Sequence, residues 1–257
     1  MDIQDKMASY AFMAEPFHCD FSKHIFLGHL GNCMLNAAEF HSQERGFGMD
    51  YLNPQHKTWV LSRLAIEMTD MPKMDDRFFI DTWVDGAMRY FTSRNFRVHD
   101  GHDHVYGYGR SMWAMIDTDT RQPADLFAIR DGLIKSYIDD ERVCPIDQPS
   151  RVKIGRDLQL KRSLETGYSD VDINGHINSV KYIDHVLDLF PVSWYAQHKL
   201  RRFEIAYVAE SHQGDVLHFY QEKGDDNETY RIKITKSSEN DTNETEVCRS
   251  LLNFVKV

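Results

Sequence analysis

The run Asp170-Val171-Asp172-Ile173-Asn174-Gly175-His176-Ile177-Asn178 places two carboxylates, two amides and an imidazole at every second position, just ahead of a stretch with helical periodicity. Groups of these types can move a proton, hold a developing oxyanion and orient one another. The start of a helix adds unpaired backbone N–H groups and the positive end of its dipole. Plainer explanations compete. Asp170-x-Asp172-x-Asn174-Gly175 opens like an EF-hand loop, but Lys181 stands at the twelfth position where a bidentate Glu is needed, so calcium is not expected. Helix capping accounts for one Asp or Asn but not for three spaced by two with a histidine. Any single one of the 13 histidines is usually structural.

The elements that must hold this cluster recur along the chain. Met34, Ala37, Ala38 and His41 share one face of a helix expected over Gly31–His41 and closed by Gly46. Trp59–Thr69 alternates, with Val60, Leu64, Ile66 and Met68 on one side, and a turn at Met71–Asp75 leads into Phe78–Val84. Tyr90–Val98 and Val105–Ile116 alternate likewise around Asp100-Gly101-His102-Asp103, a hairpin connection. A second helix is expected from about His176 to Phe190, with Ile177, Val180, Ile183, Leu187 and Phe190 on its stripe and Pro191 as its stop.

Strands follow that helix too. Arg63–Met68 lies 139 residues before Arg202–Tyr207, and Gly31 lies 144 before Gly175. Such a period means a duplicated domain, since solenoid repeats run about 20–50 residues. The expected class is α+β: two tandem helix-plus-antiparallel-sheet repeats over 1–140 and 163–257, joined by a linker at 141–162. At these spacings Asp172, Asn174 and His176 fall on Gly28, Leu30 and Asn32, and Glu210 falls on Met71, so one polar site per chain is expected.

Composition narrows the function. With 257 residues, 42% hydrophobic and 27% charged, the chain is globular, and no apolar run reaches the ~20 residues of a membrane span. The acidic start, Met1–Lys6, lacks a signal-peptide apolar region, so a cytoplasmic protein is expected. The net charge of −10 argues against nucleic acid. Cys19, Cys33, Cys144 and Cys248 form no CxxC or Cys/His pair, so neither a metal nor a disulfide scaffold is expected, and no cofactor is called for.

Asp172-x-Asn174-x-His176-x-Asn178 followed by Val180-Lys181-Tyr182-Ile183 resembles the signature of the acyl-acyl-carrier-protein thioesterases of plants and bacteria. Gly46-Phe47-Gly48, Trp59–Arg63 and Thr82-Trp83-Val84 are similar to that family's N-terminal half. The resemblance runs from about Phe17 to the C-terminus and implies a double hotdog fold, which requires a repeat such as the one found independently above. It implies catalytic roles for Asp172, Asn174, His176 and Glu210, with Asn178 and Ser211 in support. Ser211 stands where the plant members carry a cysteine, which sets aside that thiol as an obligatory nucleophile here.

In this reading Glu210 or His176 takes the proton of a water, Asn174 and N–H groups at the start of the second helix hold the oxyanion, and Asp172 orients Asn174 or His176. The first repeat, rich in Met, Phe, Trp and Tyr, would form the acyl-chain side. The implied partner is acyl carrier protein bearing an acyl-phosphopantetheine. That protein is acidic, so Arg142, Arg151, Lys153, Arg156, Lys161 and Arg162 of the linker are candidates to dock it. A homodimer is compatible with the reading. Acyl-CoA hydrolysis, or a non-catalytic acyl or carrier-protein binding module, are the alternatives.

Overall fold

Period-two patterning builds antiparallel strands on both sides of Gln148, where the chain divides into two units. The computed structural model describes residues 5–238 and 241–257. The unit ending at Gln148 contains β1 (Met7–Met13), α1 (Leu27–Glu44), α2 (Met49–Leu52), β2 (Lys57–Met68), β3 (Arg77–Ala87), β4 (Phe91–His99) and β5 (Val105–Asp117). Its sheet order is β1-β3-β4-β5-β2, antiparallel throughout. The apolar stripe of α1, including Leu30, Met34, Ala37 and Ala38, is buried on that sheet. Gly109 in β5 lets the helix close in: a Cβ there would stand 3.0 Å from the Met34 sulfur and 3.2 Å from Phe96.

The unit Pro149–Val257 holds β6 (Gln159–Glu165), α3 (Ser179–Leu187), α4 (Val192–Tyr195), β7 (His198–Tyr207), β8 (Val216–Lys223), β9 (Thr229–Ser238) and β10 (Asp241–Lys256). Its sheet order is β7-β10-β9-β8-β6, again antiparallel. Val180, Tyr182, Ile183 and Val186 of α3 are buried, with Tyr182 edge-on to Tyr207 at 6.0 Å and His185 edge-on to Phe219 at 6.3 Å. Each unit is thus a helix on an antiparallel sheet, the α+β class expected. No described helix is long and apolar enough to cross a membrane.

Several boundaries differ from expectation. α1 begins four residues before Gly31, because Phe26 already has the extended geometry of an N-cap and Leu30 is fully buried on the helix's inner face. The second helix begins three residues after His176, at Ser179, because Asn178 caps it by accepting the Val180 N–H at 3.1 Å. β1 carries little sequence signal: it pairs only with β3 and has no fully buried residue. In β2 a bulge between Leu61 and Arg63 shifts the pattern, so Leu61 is buried as well as Leu64, Ile66 and Met68.

The 141–162 stretch is not a free spacer. Its last four residues belong to β6. Within the first unit, Cys144 and Ile146 pack on Trp83, and Arg110 Nη1 donates to the Ile146 carbonyl at 3.0 Å. Within the second, buried Glu204 accepts the Ser150 N–H and Arg202 Nε, both at 2.8 Å, and Gly155 N donates to Glu222 at 3.0 Å. Glu204→Ala is expected to lower stability by about 3–5 kcal/mol, since it removes one member of a buried ion pair. Trypsin should then cut faster at Arg151, Lys153 or Arg156, as read by limited proteolysis and a denaturant melt.

Candidate active site

A single carboxylate oxygen organises the polar cluster. Asp172 Oδ1 accepts the Asn174 N–H at 2.8 Å and the His176 N–H at 3.2 Å, an Asx-type turn. The backbone closes on itself, with Asp172 N donating to the His176 carbonyl at 2.8 Å and Gly175 N to the Asp172 carbonyl at 3.1 Å. Gly175 has φ +80° with open space around it, so its glycine serves the left-handed turn and not a close contact. At the base, Asn178 N donates to the Asp170 carbonyl at 2.8 Å. Buried Asp170 holds the loop to α3 through His185 Nε2 at 2.9 Å, and its other oxygen accepts the Gly167 N–H at 2.8 Å.

The loop docks on the turn after β7, where Ile177 N donates to the Ser211 carbonyl at 2.9 Å. That contact brings His176 Nε2 to 3.4 Å from Glu210 Oε2, both partly exposed. The His212 ring lies edge-on to His176, centroids 5.1 Å apart. Asn174 is exposed, and no described hydrogen bond uses its side-chain amide. The amides of residues 174 to 178 all donate within the loop or to its neighbours, and that of Val180 to Asn178. Ser179 N–H is left as the first-turn donor of α3 without an acceptor among the described residues.

Of the expected site residues, Asp172, Asn174, His176 and Glu210 come together. Asn178 is a helix cap. Ser211 supports the loop through its carbonyl, while its hydroxyl is fully buried beside the Tyr182 phenol and makes no hydrogen bond to His176. Its neighbour Tyr182 has a phenol that burial pushes up, so it remains protonated at neutral pH. The six basic residues separate by partner. Arg142 pairs with Asp139 at 2.9 Å and Arg162 with Asp188 at 3.2 Å, and Lys161 donates to Gln159 at 3.2 Å. Arg151, Lys153 and Arg156 are exposed, with no acidic partner among the described residues. The sequence reading missed Asp170–His185 and His212; the signals available were Asp170's place in the alternating run and His212's place two residues after Glu210.

The expectation that the first repeat lacks the polar set needs correcting. An isolated bridge joins Cys19 to Ile25 as another joins Val171 to Ile177, 152 residues on. Asp20 Oδ1 accepts the Ser22 and His24 N–H groups at 2.8 and 3.3 Å, just as Asp172 Oδ1 does for Asn174 and His176. The true counterparts are therefore Asp20, Ser22 and His24, not Gly28, Leu30 and Asn32. The 144 spacing failed because it matched Gly31, which lies inside α1, with Gly175, which lies in the loop ahead of α3; the helix starts Leu27 and Ser179 keep the offset of 152. At the docking turn the 139 spacing holds: Ile25 N donates to the Pro72 carbonyl as Ile177 N does to Ser211, which leaves Met71 opposite Glu210.

The sequence matches the profile of the acyl-ACP thioesterase N-terminal domain over residues 8–137 and of the C-terminal domain over 156–250. The chain belongs to the acyl-ACP thioesterase family. It is thus a thioester hydrolase by family. The crystal structure of an acyl-ACP thioesterase from Bacteroides thetaiotaomicron is 44% identical, with TM-score 0.88 over 97% of this chain and 98% of that one. The 12:0-ACP thioesterase from Umbellularia californica, 18% identical with TM-score 0.83 over the whole of both chains, shares the fold, and the two units are the expected double hotdog. The oleoyl-acyl carrier protein thioesterase of Coriandrum sativum is 25% identical over 95% of this chain and 70% of its own length. An Arabidopsis thaliana relative matches 80% of this chain, which spans 60% of that protein.

If Asp172 of this thioesterase acts by accepting two amides, an amide oxygen can replace its carboxylate oxygen. Asp172→Asn is expected to stay within about tenfold of the parent kcat/KM. Asp172→Ala should lose about 100-fold as the loop shifts. Acyl-thioester turnover, with circular dichroism to verify folding, checks both.

Proposed function

We propose that this thioesterase hydrolyses fatty acyl thioesters of acyl carrier protein, releasing free fatty acid and so ending chain growth, with the His176–Glu210 pair as its base. The observation that carries the reading is the 3.4 Å approach of His176 Nε2 to Glu210 Oε2 beside an exposed, unengaged Asn174 amide. A thioester expels a thiolate whose conjugate acid has a pKa near ~8.5, so little leaving-group protonation is needed. The main work is to activate water and stabilise an oxyanion.

In this mechanism the pair takes a proton from water as its oxygen attacks the thioester carbonyl carbon. The Asn174 side-chain N–H and the Ser179 N–H donate to the oxyanion. The C–S bond then breaks, the electrons leave with the phosphopantetheine sulfur, and the proton passes from the pair to the thiolate. Asp172 positions His176 and Asn174 through the backbone. Ser211 is not a nucleophile here, since its hydroxyl has no base within hydrogen-bond reach. We assign the acyl chain to the first unit, whose interior includes Met34, Phe47, Trp83 and Met115. No metal or cofactor enters these steps.

Arg151, Lys153 and Arg156 are the cations we assign to docking the acidic carrier protein, because they are exposed and not engaged by acids among the described residues. A cytoplasmic location and a homodimer go with this reading; the Coriandrum and Arabidopsis relatives are chloroplastic by name.

Two measurements test it. His176→Ala and Glu210→Gln should each lower kcat by about 10²–10⁴-fold on acyl-acyl-carrier-protein substrates; folded variants with parental turnover would refute the assignment. Reversing Arg151, Lys153 and Arg156 to Glu should raise KM for acyl-acyl-carrier-protein about tenfold at low salt, with the difference fading as ionic strength rises. KM for acyl-CoA should stay unchanged, and equal effects on both substrates would remove the docking role.

A further inference from the structure

The two units tie their equivalent loops to their helices by different chemistry. In the second unit Asp170 and His185 make the tie directly at 2.9 Å. The 152-residue correspondence of the loops places His18 at the position of Asp170 and Cys33 at that of His185. A histidine and a thiol form no such ion pair, and the direct tie is lost in the first unit.

A different cluster occupies that place. Glu15 precedes a short 3-10 turn, Pro16–His18, and its Oε2 lies 2.8 Å from His18 Nδ1. The His18 ring stacks on His29 of α1, with centroids 3.8 Å apart and planes 11° from parallel. Ligand atoms of Glu15, His18 and His29 all lie within 4.8 Å of one another. Cys33 follows His29 by one helical turn on the same face and is buried. Two imidazoles and one carboxylate form a donor set suited to zinc and neighbouring divalent transition metals, with a position left open. Glu15 also brings the negative charge that a cation beside the positive end of α1 requires.

We propose that Glu15, His18 and His29 bind one divalent transition-metal ion of the zinc class, which joins the base of the first unit's loop to α1 as Asp170–His185 does in the second. The expectation of no metal rested on cysteine spacing and on the incomplete calcium loop, whereas this set is assembled by folding from one glutamate and two histidine positions. The ion is structural in this account: it stands among residues of the first unit that the proposed hydrolysis does not use.

The test is zinc binding to the full chain after chelator treatment, measured by equilibrium dialysis and titration calorimetry, with cobalt as a spectroscopic probe. One zinc per chain is expected, with an upward shift in melting temperature and cobalt absorption bands in the visible region. His29→Ala and Glu15→Ala, at a half-buried and an exposed position, should fold, weaken zinc binding at least tenfold and lose the thermal shift. Absence of stoichiometric zinc binding to the parent chain would overturn the proposal. So would binding of unchanged affinity in both variants. Because the readouts are affinity and melting temperature, neither result depends on the assignment of the hydrolytic base.

Discussion

Everything at the proposed catalytic loop depends on one carboxylate oxygen taking two backbone amides. Hydrogen bonds to a charged acceptor contribute about 1.5–3 kcal/mol each, against about 0.5–1.5 for a neutral pair. Extending α3 back through His176 would exchange the two Asp172 bonds for ordinary helical ones, so the loop is favoured over the longer helix that the apolar stripe suggests. With the loop fixed, His176 faces Glu210 and Asn174 stands in solvent beside them. Asn174 and His176 are thus placed by backbone geometry, through amides that Asp172 holds.

The first unit shows that this scaffold is separable from the chemistry. Asp20 organises Ser22 and His24 through the same two amide bonds. There the Ser22 hydroxyl is engaged, donating to Asp20 at 2.6 Å and lying 2.9 Å from His24 Nδ1. Met71 offers no base opposite the histidine. The loop persists because its hydrogen bonds are local; the site does not, because the acid and the free amide come from positions that the loop's own stability leaves unconstrained.

Much of this was legible in the sequence, for physical reasons that differ by element. Alternation located β2 through β5, the repeat located β7, and helical periodicity located the buried faces of α1 and α3, because burial imposes both patterns. The alternating run Asp172 to Asn178 marked the loop, and the resemblance carried by it supplied Glu210. The start of the second helix was not legible, since a capping Asn178 competes with an uninterrupted apolar stripe. The first unit's loop escaped because the 144 spacing paired Gly31, inside α1, with Gly175, ahead of α3. The Asp170–His185 tie and the Glu15, His18 and His29 cluster join positions 15, 14 and 11 residues or fewer apart that no local pattern brings together. The basic 141–162 stretch reads as linker by its prolines, yet Glu204 and Glu222 pin it from distant strands.

The central claim is that His176 and Glu210 act as one base. A double-mutant cycle on kcat/KM for an acyl-acyl-carrier-protein substrate, combining His176→Ala with Glu210→Gln, tests it most directly. Residues working as a unit predict that the double variant is about as slow as the slower single one. Strictly additive losses, with the double variant slower by the product of the two single effects, would contradict the account.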